Sequence, residues 1–315
     1  MAIMPQREAY GRALADYGDI IEKIVVLDAD TSSSTLTNFF AAKFPDRFYN
    51  VGIAEPCMVD FGVGLSLGGY IPFVNAFAAF LALRAIEQVR TCIAYANTNV
   101  KLVGHYAGLS DYKDGPTHNC IVDVAVMRAL PNLTVIVPSD NNQIKNWIPV
   151  IAAHQGPLYF RMSRDVSLPV HPETIQPQIG KAIQLREGSD VTLIANGTML
   201  GRTLQAADQL GQAGISTRVL EIHTLKPLDI EAICAAASET GAIVTVEEHS
   251  IIGGLGGAVS EALSENCHAP LTRVGVKDCF AYTALDAESL MDHMGLRPED
   301  IVEAAKATIK KKDRS

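Results

Sequence analysis

The chain has 315 residues, of which 48% are hydrophobic and 19% are charged, and its formal net charge at pH 7 is −9. This length fits two domains of ordinary size, and the hydrophobic fraction supports well-buried cores. The negative charge argues against non-specific nucleic-acid binding. The low charged fraction is a weak sign that some apolar surface is buried against another chain.

Neither a membrane span nor secretion is expected. Arg7 and Glu8 follow the short N-terminus directly, which does not fit a signal peptide. The uncharged stretch 61–83 is long enough to cross a bilayer, but its glycines and Pro72 divide it into two short pieces that suit buried elements better. The six cysteines show no C-x-x-C and no regular spacing. We therefore expect buried thiols in a reducing cytoplasm, without disulfides or zinc.

Short apolar runs alternate with helical patterns in the first half of the chain. The expected strands are 24–27, 69–74, 100–103, 133–137 and 158–160. The expected helices are 8–17, 76–96 and 141–154. Continuous apolar runs separated by helices are typical of a parallel sheet covered on both faces.

A segment with three prolines, residues 168–177, interrupts this pattern and predicts a linker. Beyond it, the expected strands are 191–195, 217–220, 243–246 and 271–276. The expected helices there are 200–211, 229–237, 257–264 and 298–311. The sequence therefore predicts two α/β domains, 1–170 and 186–315, each a mostly parallel sheet flanked by helices and joined by a linker at 171–185.

One acidic residue, Glu55, directly follows a short apolar run and lies shortly before the uncharged stretch 61–83. A carboxylate entering such surroundings is costly unless it has a partner or is protonated. The simpler interpretation is a charge in the first turn of a helix, which the helix dipole favours.

Further along, Phe77 and Phe80 would lie on one face of the expected helix, where neighbouring alanines would let a flat ring approach. Core packing is the alternative for that pair.

Polar residues also follow several of the expected strands. Residues 28–35 contain two aspartates and a Ser/Thr run, and ligands collect at the carboxyl ends of strands in open α/β sheets. A polar loop with a helix N-cap is an equally good interpretation. Residues 104–119 combine two histidines, two aspartates, glycines and a proline. Their spacing matches no usual metal pattern, so proton transfer or sugar-hydroxyl binding fits better, with an irregular surface turn as the alternative.

Two last stretches are less specific. Residues 161–165 contain two arginines at the end of a strand, where a guanidinium could bind phosphate or form a surface ion pair. Residues 253–258 resemble a dinucleotide fingerprint, but six residues separate the glycines from the preceding strand. A tight loop before a packed helix explains them better.

In this order and spacing, the stretches resemble the C-terminal two-thirds of a transketolase, over nearly the whole chain. The motifs are V-G-I-x-E ending at Glu55, F-x-x-F at Phe77 and Phe80, D-G-P-T-H from Asp114 to His118, and S-R-x-x-x-L-P from Ser163. The resemblance implies a pyrimidine-binding domain followed by a transketolase C-terminal domain. Departures at Pro56, Ala76, Ala79 and Leu83 leave the identity of the sugar open.

The resemblance also implies thiamine diphosphate as cofactor. Glu55 would hydrogen-bond N1′ of the aminopyrimidine and favour the imino tautomer that removes the C2 proton. Phe80 would stack on the pyrimidine, Phe77 would line its pocket, and Asp30 would fix its polar edge. Glu55 and His118 are the expected catalytic residues. The residues implied to bind a sugar phosphate are Asp114, His118, His105, Arg164, Arg7 and Ser34.

The family's other domain binds the diphosphate through Mg²⁺ with a G-D-G motif, which is absent from this sequence. The resemblance therefore implies one subunit of a split transketolase, without a metal site of its own. An N-terminal partner subunit would hold the diphosphate and Mg²⁺, and contact between two copies of this chain would give a heterotetramer.

Two other functions remain open at the level of sequence. The beta subunit of a 2-oxo acid dehydrogenase has the same two domains, but D-G-P-T-H together with Arg7 and Arg164 favours a sugar phosphate. The single-chain deoxyxylulose-phosphate synthases share the fold. A non-catalytic regulatory chain is the third possibility, against which intact Glu55, Phe80 and His118 argue.

Overall fold

The computed structural model describes residues 4–312, and within them the strands and helices alternate. The strands are β1 (Ile24–Asp28), β2 (Phe48–Asn50), β3 (Ile71–Phe77), β4 (Lys101–His105), β5 (Thr134–Ile136), β6 (Leu158–Arg161), β7 (Ile183–Arg186), β8 (Val191–Ala195), β9 (Thr217–Glu221), β10 (Thr224–Lys226), β11 (Ile243–Ser250) and β12 (Leu271–Val276).

The helices cover the sheets. They are α1 (Gln6–Ile20), α2 (Ser32–Thr35), α3 (Asn38–Lys43), α4 (Glu55–Leu67), α5 (Ile86–Gln88), α6 (Asp123–Ala129), α7 (Asn141–Ala153), α8 (Met199–Gln212), α9 (Ile230–Thr240), α10 (Leu255–Asn266), α11 (Ala287–His293) and α12 (Pro298–Lys312). Two segments are wound as π-helix, Phe80–Arg84 and Val89–Tyr95, and two are short 3₁₀ turns, Pro45–Arg47 and Gly115–Thr117.

The expected fold class is confirmed. One sheet has seven strands in the order β10-β5-β6-β4-β3-β1-β2, and the other has five in the order β12-β11-β8-β9-β7. All pairings are parallel except those of β10 with β5 and of β7 with β9, both at sheet edges. Among the described helices, none combines the length and apolar character that crossing a membrane requires.

Helices on both faces explain why the central strands are apolar throughout. On one face of the first sheet, Tyr10 of α1 and Trp147 of α7 are fully buried in a common core. On the other face, Met58 of α4 and Ile93 of the second π segment are buried in another. A strand covered on both sides cannot alternate apolar with polar residues, so β1 is buried at every position.

The helix expected at 76–96 begins later than predicted. Residues 75–77 continue β3, where Asn75, Ala76 and Phe77 pair in register with Val103, Gly104 and His105 of β4. Phe77 therefore ends a strand and Phe80 opens the helical segment, so the prediction that both lie on one helix face is wrong. Pairing of β3 with β1 and β4 outweighs the local preference of the alanines for helix.

Two other features differ from the expectations. The strand β10 follows the expected linker in sequence, yet it pairs with β5 of the first sheet. Cys234 and Cys267 form a disulfide, and Cys57 and Cys279 are exposed. The expectation of buried thiols without disulfides is therefore wrong for these four cysteines, because spacing along the chain does not show which cysteines a fold brings together.

Candidate active site

Glu55 is the first residue of α4, and its side chain is only 2% exposed. Pro56 follows in the first turn, a position where a missing N–H costs nothing. Nη1 of Arg84 donates to both carboxylate oxygens of Glu55, each at 2.9 Å. The buried carboxylate that needed a partner therefore has one, at the first charged residue after the uncharged stretch.

Arg84 also stacks on Phe80, with its Cζ 4.1 Å from the ring centroid. The π-helical winding of Phe80–Arg84 brings the two side chains together, because its wider turn places residues four apart closer to one line than an α-helix does. Sequence reasoning missed Arg84. Its position one turn after Phe80 was the available signal.

Four rings form an aromatic cluster next to this ion pair: Phe77, Phe80, Tyr106 and His118. The ring centroids of Phe77 and Tyr106 lie 4.3 Å apart, and those of Phe80 and His118 lie 5.1 Å apart. The ends of β3 and β4 and the loop after β4 thus contribute to one surface. Phe77, Phe80 and His118, predicted as site residues, are brought together here.

Two arginines, Arg7 and Arg164, contact the ring of Tyr106. Cζ of Arg7 lies 5.7 Å from the Tyr106 ring centroid, and Cζ of Arg164 lies 5.1 Å from it. Nη1 of Arg7 donates to the Tyr106 hydroxyl at 2.8 Å and to the backbone carbonyl of Ser34 at 2.9 Å. The predicted anion-binding residues Arg7, Ser34 and Arg164 are therefore neighbours, and we call Arg7 and Arg164 the arginine pair.

The loop after β4 carries the acidic part of the site. Asp111 is fully buried, with Oδ1 3.5 Å from Nη1 of Arg164. The pKa of Asp111 is raised to about 6, mainly by burial and also by the charge of Asp114 and a hydrogen bond with it, whereas the charges of His118 and Arg164 oppose the rise. Asp114 itself is exposed, and Nδ1 of His118 lies 2.9 Å from Oγ1 of Thr117.

Two predicted site residues lie apart from the aromatic cluster. Asp30 is exposed after β1 and exchanges hydrogen bonds of 3.1 Å with the side chain of Asn50. His105 is fully buried, with Nε2 3.0 Å from Oδ1 of Asn75 and its ring against Tyr10 of α1. Burial, together with the charge of Arg7, lowers the pKa of His105 to about 3. The roles of Asp30 and His105 stay predictions.

The other singled-out stretches are structural. Arg161 donates from Nε to Asp123 at 2.8 Å and from Nη2 to the carbonyl of Glu248 at 2.9 Å, which ties the two halves of the chain together. In the glycine-rich segment, Gly253 and Gly254 form the expected tight loop, and Gly256 and Gly257 already lie in the first turn of α10. The carboxylate of Glu247 accepts the backbone N–H groups of Leu255 and Gly256 there, each at 2.7 Å.

Comparisons with known families agree with this architecture. Residues 4–167 match the family described as transketolase, pyrimidine binding domain, and residues 180–301 match the transketolase, C-terminal domain. The 6-deoxy-6-sulfo-D-fructose transketolase subunit of Clostridium sp. (strain MSTE9) is 41% identical over 307 residues, which cover 98% of this chain and 95% of that protein. A subunit of the apulose-4-phosphate transketolase of Phocaeicola vulgatus is 35% identical, and the match covers 97% of each chain.

Solved structures give the same result. A split gene transketolase, described as an inactive beta4 tetramer, superimposes with a TM-score of 0.92 at 43% identity, covering 98% of this chain and 99% of the other. The transketolase of Leishmania mexicana shares the fold with a TM-score of 0.80 at 24% identity, although only 46% of that chain is covered. The chain is therefore a member of the transketolase family and corresponds to the C-terminal subunit of a split transketolase.

Proposed function

We propose that this chain is one subunit of a thiamine-diphosphate-dependent transketolase that transfers a two-carbon ketol unit between sugar phosphates. An unbroken line of contacts supports the proposal. It runs from Glu55 through Arg84 to Phe80, across the aromatic cluster, and ends at the arginine pair around Tyr106. A carboxylate, stacked rings and two guanidinium groups in that order match the needs of a pyrimidine, a sugar and a terminal anion.

The residues present fit an aminopyrimidine, and Arg84 provides the test. Its guanidinium is planar, stacks on Phe80 and donates N–H groups to Glu55, so it makes the two contacts that a pyrimidine ring would need here. Thiamine diphosphate, when bound, supplies the reactive carbon and the electron sink for breaking the bond next to a carbonyl.

The chain's own residues would bind the cofactor's pyrimidine and the sugar substrate and would orient them. Glu55 would hold a proton at a pyrimidine nitrogen, because a buried carboxyl can share one with a ring nitrogen. Phe80 would stack on the pyrimidine face, Phe77 would line the pyrimidine pocket, and Asp30 would fix the polar edge of the ring. His118 would move a proton at a sugar hydroxyl that it orients together with Asp114. His105, Ser34 and the arginine pair would bind the rest of the donor and its phosphate.

We further propose that activity requires an N-terminal partner subunit that holds the diphosphate and Mg²⁺. Relatives named as subunits of sugar transketolases support this, as does the split gene transketolase described as an inactive beta4 tetramer. The same likeness supports contact between copies of this chain, and hence a heterotetramer. The domain division at 1–170, 171–185 and 186–315 and a cytoplasmic location belong to this proposal as well.

Co-expression with a candidate partner that carries G-D-G tests the proposal. The purified complex is assayed against a panel of sugar phosphates with thiamine diphosphate and Mg²⁺, and against pyruvate for decarboxylation. We expect ketol transfer by the complex only, with poor cofactor binding and no activity in the isolated chain. Turnover by the isolated chain, freed of any partner, would refute the split-subunit proposal, and decarboxylation of pyruvate would point to the 2-oxo acid dehydrogenase class.

A further inference from the structure

Asp111 lies beside the arginine pair, and no motif of the family covers it. Its side chain is fully buried, yet Oδ2 meets no hydrogen-bond partner among residues 4–312. Buried carboxylate oxygens are nearly always satisfied, because leaving one without a partner costs free energy. Its other oxygen lies 3.5 Å from Nη1 of Arg164. Arg164 is therefore the positively charged partner of Asp111, and Asp114 lies close beside it.

Arg164 is enclosed on most sides. Cζ lies 5.1 Å from the ring centroid of Tyr106 and 5.4 Å from that of Tyr112. Asp111 covers one edge, and 21% of the Arg164 side chain remains exposed. An incoming anion would contact the exposed part of Arg164, and Asp111 on the same guanidinium would repel it.

Carboxylates offset part of the positive charge around the subsite, to which Lys113 also contributes. The arginine pair contributes two positive charges, but the carboxyl group of Asp165 lies in the field of both arginines, and Asp111 adjoins Arg164. Asp114 lies close enough to raise the pKa of Asp111. An anion with two negative charges would therefore gain less here than at an arginine pair without neighbouring carboxylates.

We propose that Asp111 is a specificity-determining residue that makes the arginine pair favour a singly charged terminal group, such as a sulfonate, over a phosphate dianion. The inference rests on the proposed function, because it takes the arginine pair as the subsite for the substrate's terminal anion. It refines that function, because it replaces the phosphate proposed for this subsite with a singly charged terminal group as the preferred anion.

The size of the effect follows from distance. The 3.5 Å contact and a similar one on the far side of the guanidinium would separate the anion from Asp111 by about 7 Å. At that distance, one pair of like charges changes affinity by about threefold in the dielectric of water and by about fiftyfold at an effective dielectric of about 20. For a partly exposed site, we expect about tenfold per unit of anion charge.

The way in which phosphate affinity changes with pH should distinguish this site from an arginine subsite without a neighbouring carboxylate. Asp114, His118 and Arg164 face Asp111, and Arg7, Lys113, Asp286 and Arg164 face Asp165. Burial raises the pKa of Asp111 to about 6, close to the second pKa of a phosphate ester at about 6. Between pH 5.5 and 7.5 both groups gain negative charge, so phosphate affinity should fall. At an arginine pair without Asp111, it would rise.

The test uses the assembled two-subunit enzyme and a matched pair of sugars, D-fructose 6-phosphate and 6-deoxy-6-sulfo-D-fructose. Dissociation constants come from isothermal titration with the cofactor omitted, and KM values come from the complete enzyme. In the wild type at pH 7.5, the sulfonate should bind more tightly than the phosphate, because Asp111 repels the second charge of the phosphate. Asp111→Asn should improve phosphate binding about tenfold more than sulfonate binding. Asp208→Asn, which removes an exposed carboxylate paired with Arg186, should change neither.

Each outcome decides the inference. An unchanged ratio of the two dissociation constants in a folded Asp111→Asn variant overturns it. If that variant does not fold, the wild-type series decides: phosphate affinity that rises from pH 5.5 to 7.5 overturns the inference. Ketol transfer in which neither terminal anion contributes to binding overturns it and leaves the proposed chemistry standing. Absence of ketol transfer with every sugar refutes the proposed function, while the titrations still decide on Asp111.

Discussion

Replacing Arg84 with alanine should weaken the folded chain and yet strengthen its binding of thiamine diphosphate in the assembled enzyme. Arg84 holds both oxygens of Glu55 and covers the face of Phe80. These are the contacts proposed for the pyrimidine ring, so the guanidinium and the cofactor would compete for one place.

The structure sets the size of both effects. Breaking a fully buried ion pair costs about 3–5 kcal/mol because a charge is left without its partner. Glu55 is 2% exposed but Arg84 is 47% exposed, so water can replace part of the interaction. We therefore expect a loss of about 1–2 kcal/mol in the free energy of unfolding. Removing a competitor of that strength should tighten cofactor binding by about five- to thirtyfold.

The assay compares Arg84→Ala with Arg90→Ala, which removes an exposed arginine that lies in the second π segment and pairs with Glu87 of α5. Urea unfolding of the isolated chains gives stability, and isothermal titration of the assembled complexes with thiamine diphosphate gives affinity. Arg90→Ala should change both quantities little, because exposed pairs contribute about 0–1 kcal/mol. Weaker cofactor binding by Arg84→Ala would refute the reasoning, since it would show that Arg84 supports the bound ring.

Three further predictions follow from single residues. Glu55→Ala should lower ketol transfer by orders of magnitude in the assembled enzyme while circular dichroism shows an unchanged fold; near-normal turnover would speak for a scaffold. Burial lowers the pKa of Lys101 to about 7, so between pH 7 and about 10.5 the unfolded chain binds a proton that the native chain does not, and stability should rise with pH there. Urea unfolding at pH 7 and 9.5 should show that rise in the wild type and lose most of it in Lys101→Met. Gly254→Ala would place a Cβ against Oε2 of Glu247, well inside van der Waals contact, and should cost about 1–3 kcal/mol of stability. At Gly257 the nearest atom to an added Cβ is 3.7 Å away, so the same exchange there should be tolerated, and equal losses at both sites would contradict the packing argument.

Strands were the most predictable part of the fold. The runs at 191–195 and 271–276 form β8 and β12 with the expected bounds, because both are rich in apolar and β-branched residues, which fit a strand. The three residues of β10 show no such run. They form a strand because the edge of β5 offers backbone partners, which no local pattern reveals.

The site was predictable in composition but not in orientation. The family resemblance pointed to Phe80, His118 and the arginine pair. Phe80 contacts His118, and both arginines contact Tyr106, while the roles of these residues stay predictions. His105 lies on β4 two residues after Val103, and alternation along the strand turns both toward α1. Arg84 lies 29 residues from Glu55 in sequence, and only the packed structure brings them together.

The strand β10 limits how this polypeptide can be cut or recombined. It completes the first sheet with residues that follow the second sheet's first strands, and Nζ of Lys226 donates to the carbonyl of Arg128 at 3.1 Å. A fragment that stopped near residue 170 would leave the edge of β5 open to unwanted pairing with other chains. Chimeras that exchange the C-terminal half between homologues must therefore preserve the pairing of the three-residue strand β10 with β5, as well as the other contacts between the two halves of the chain.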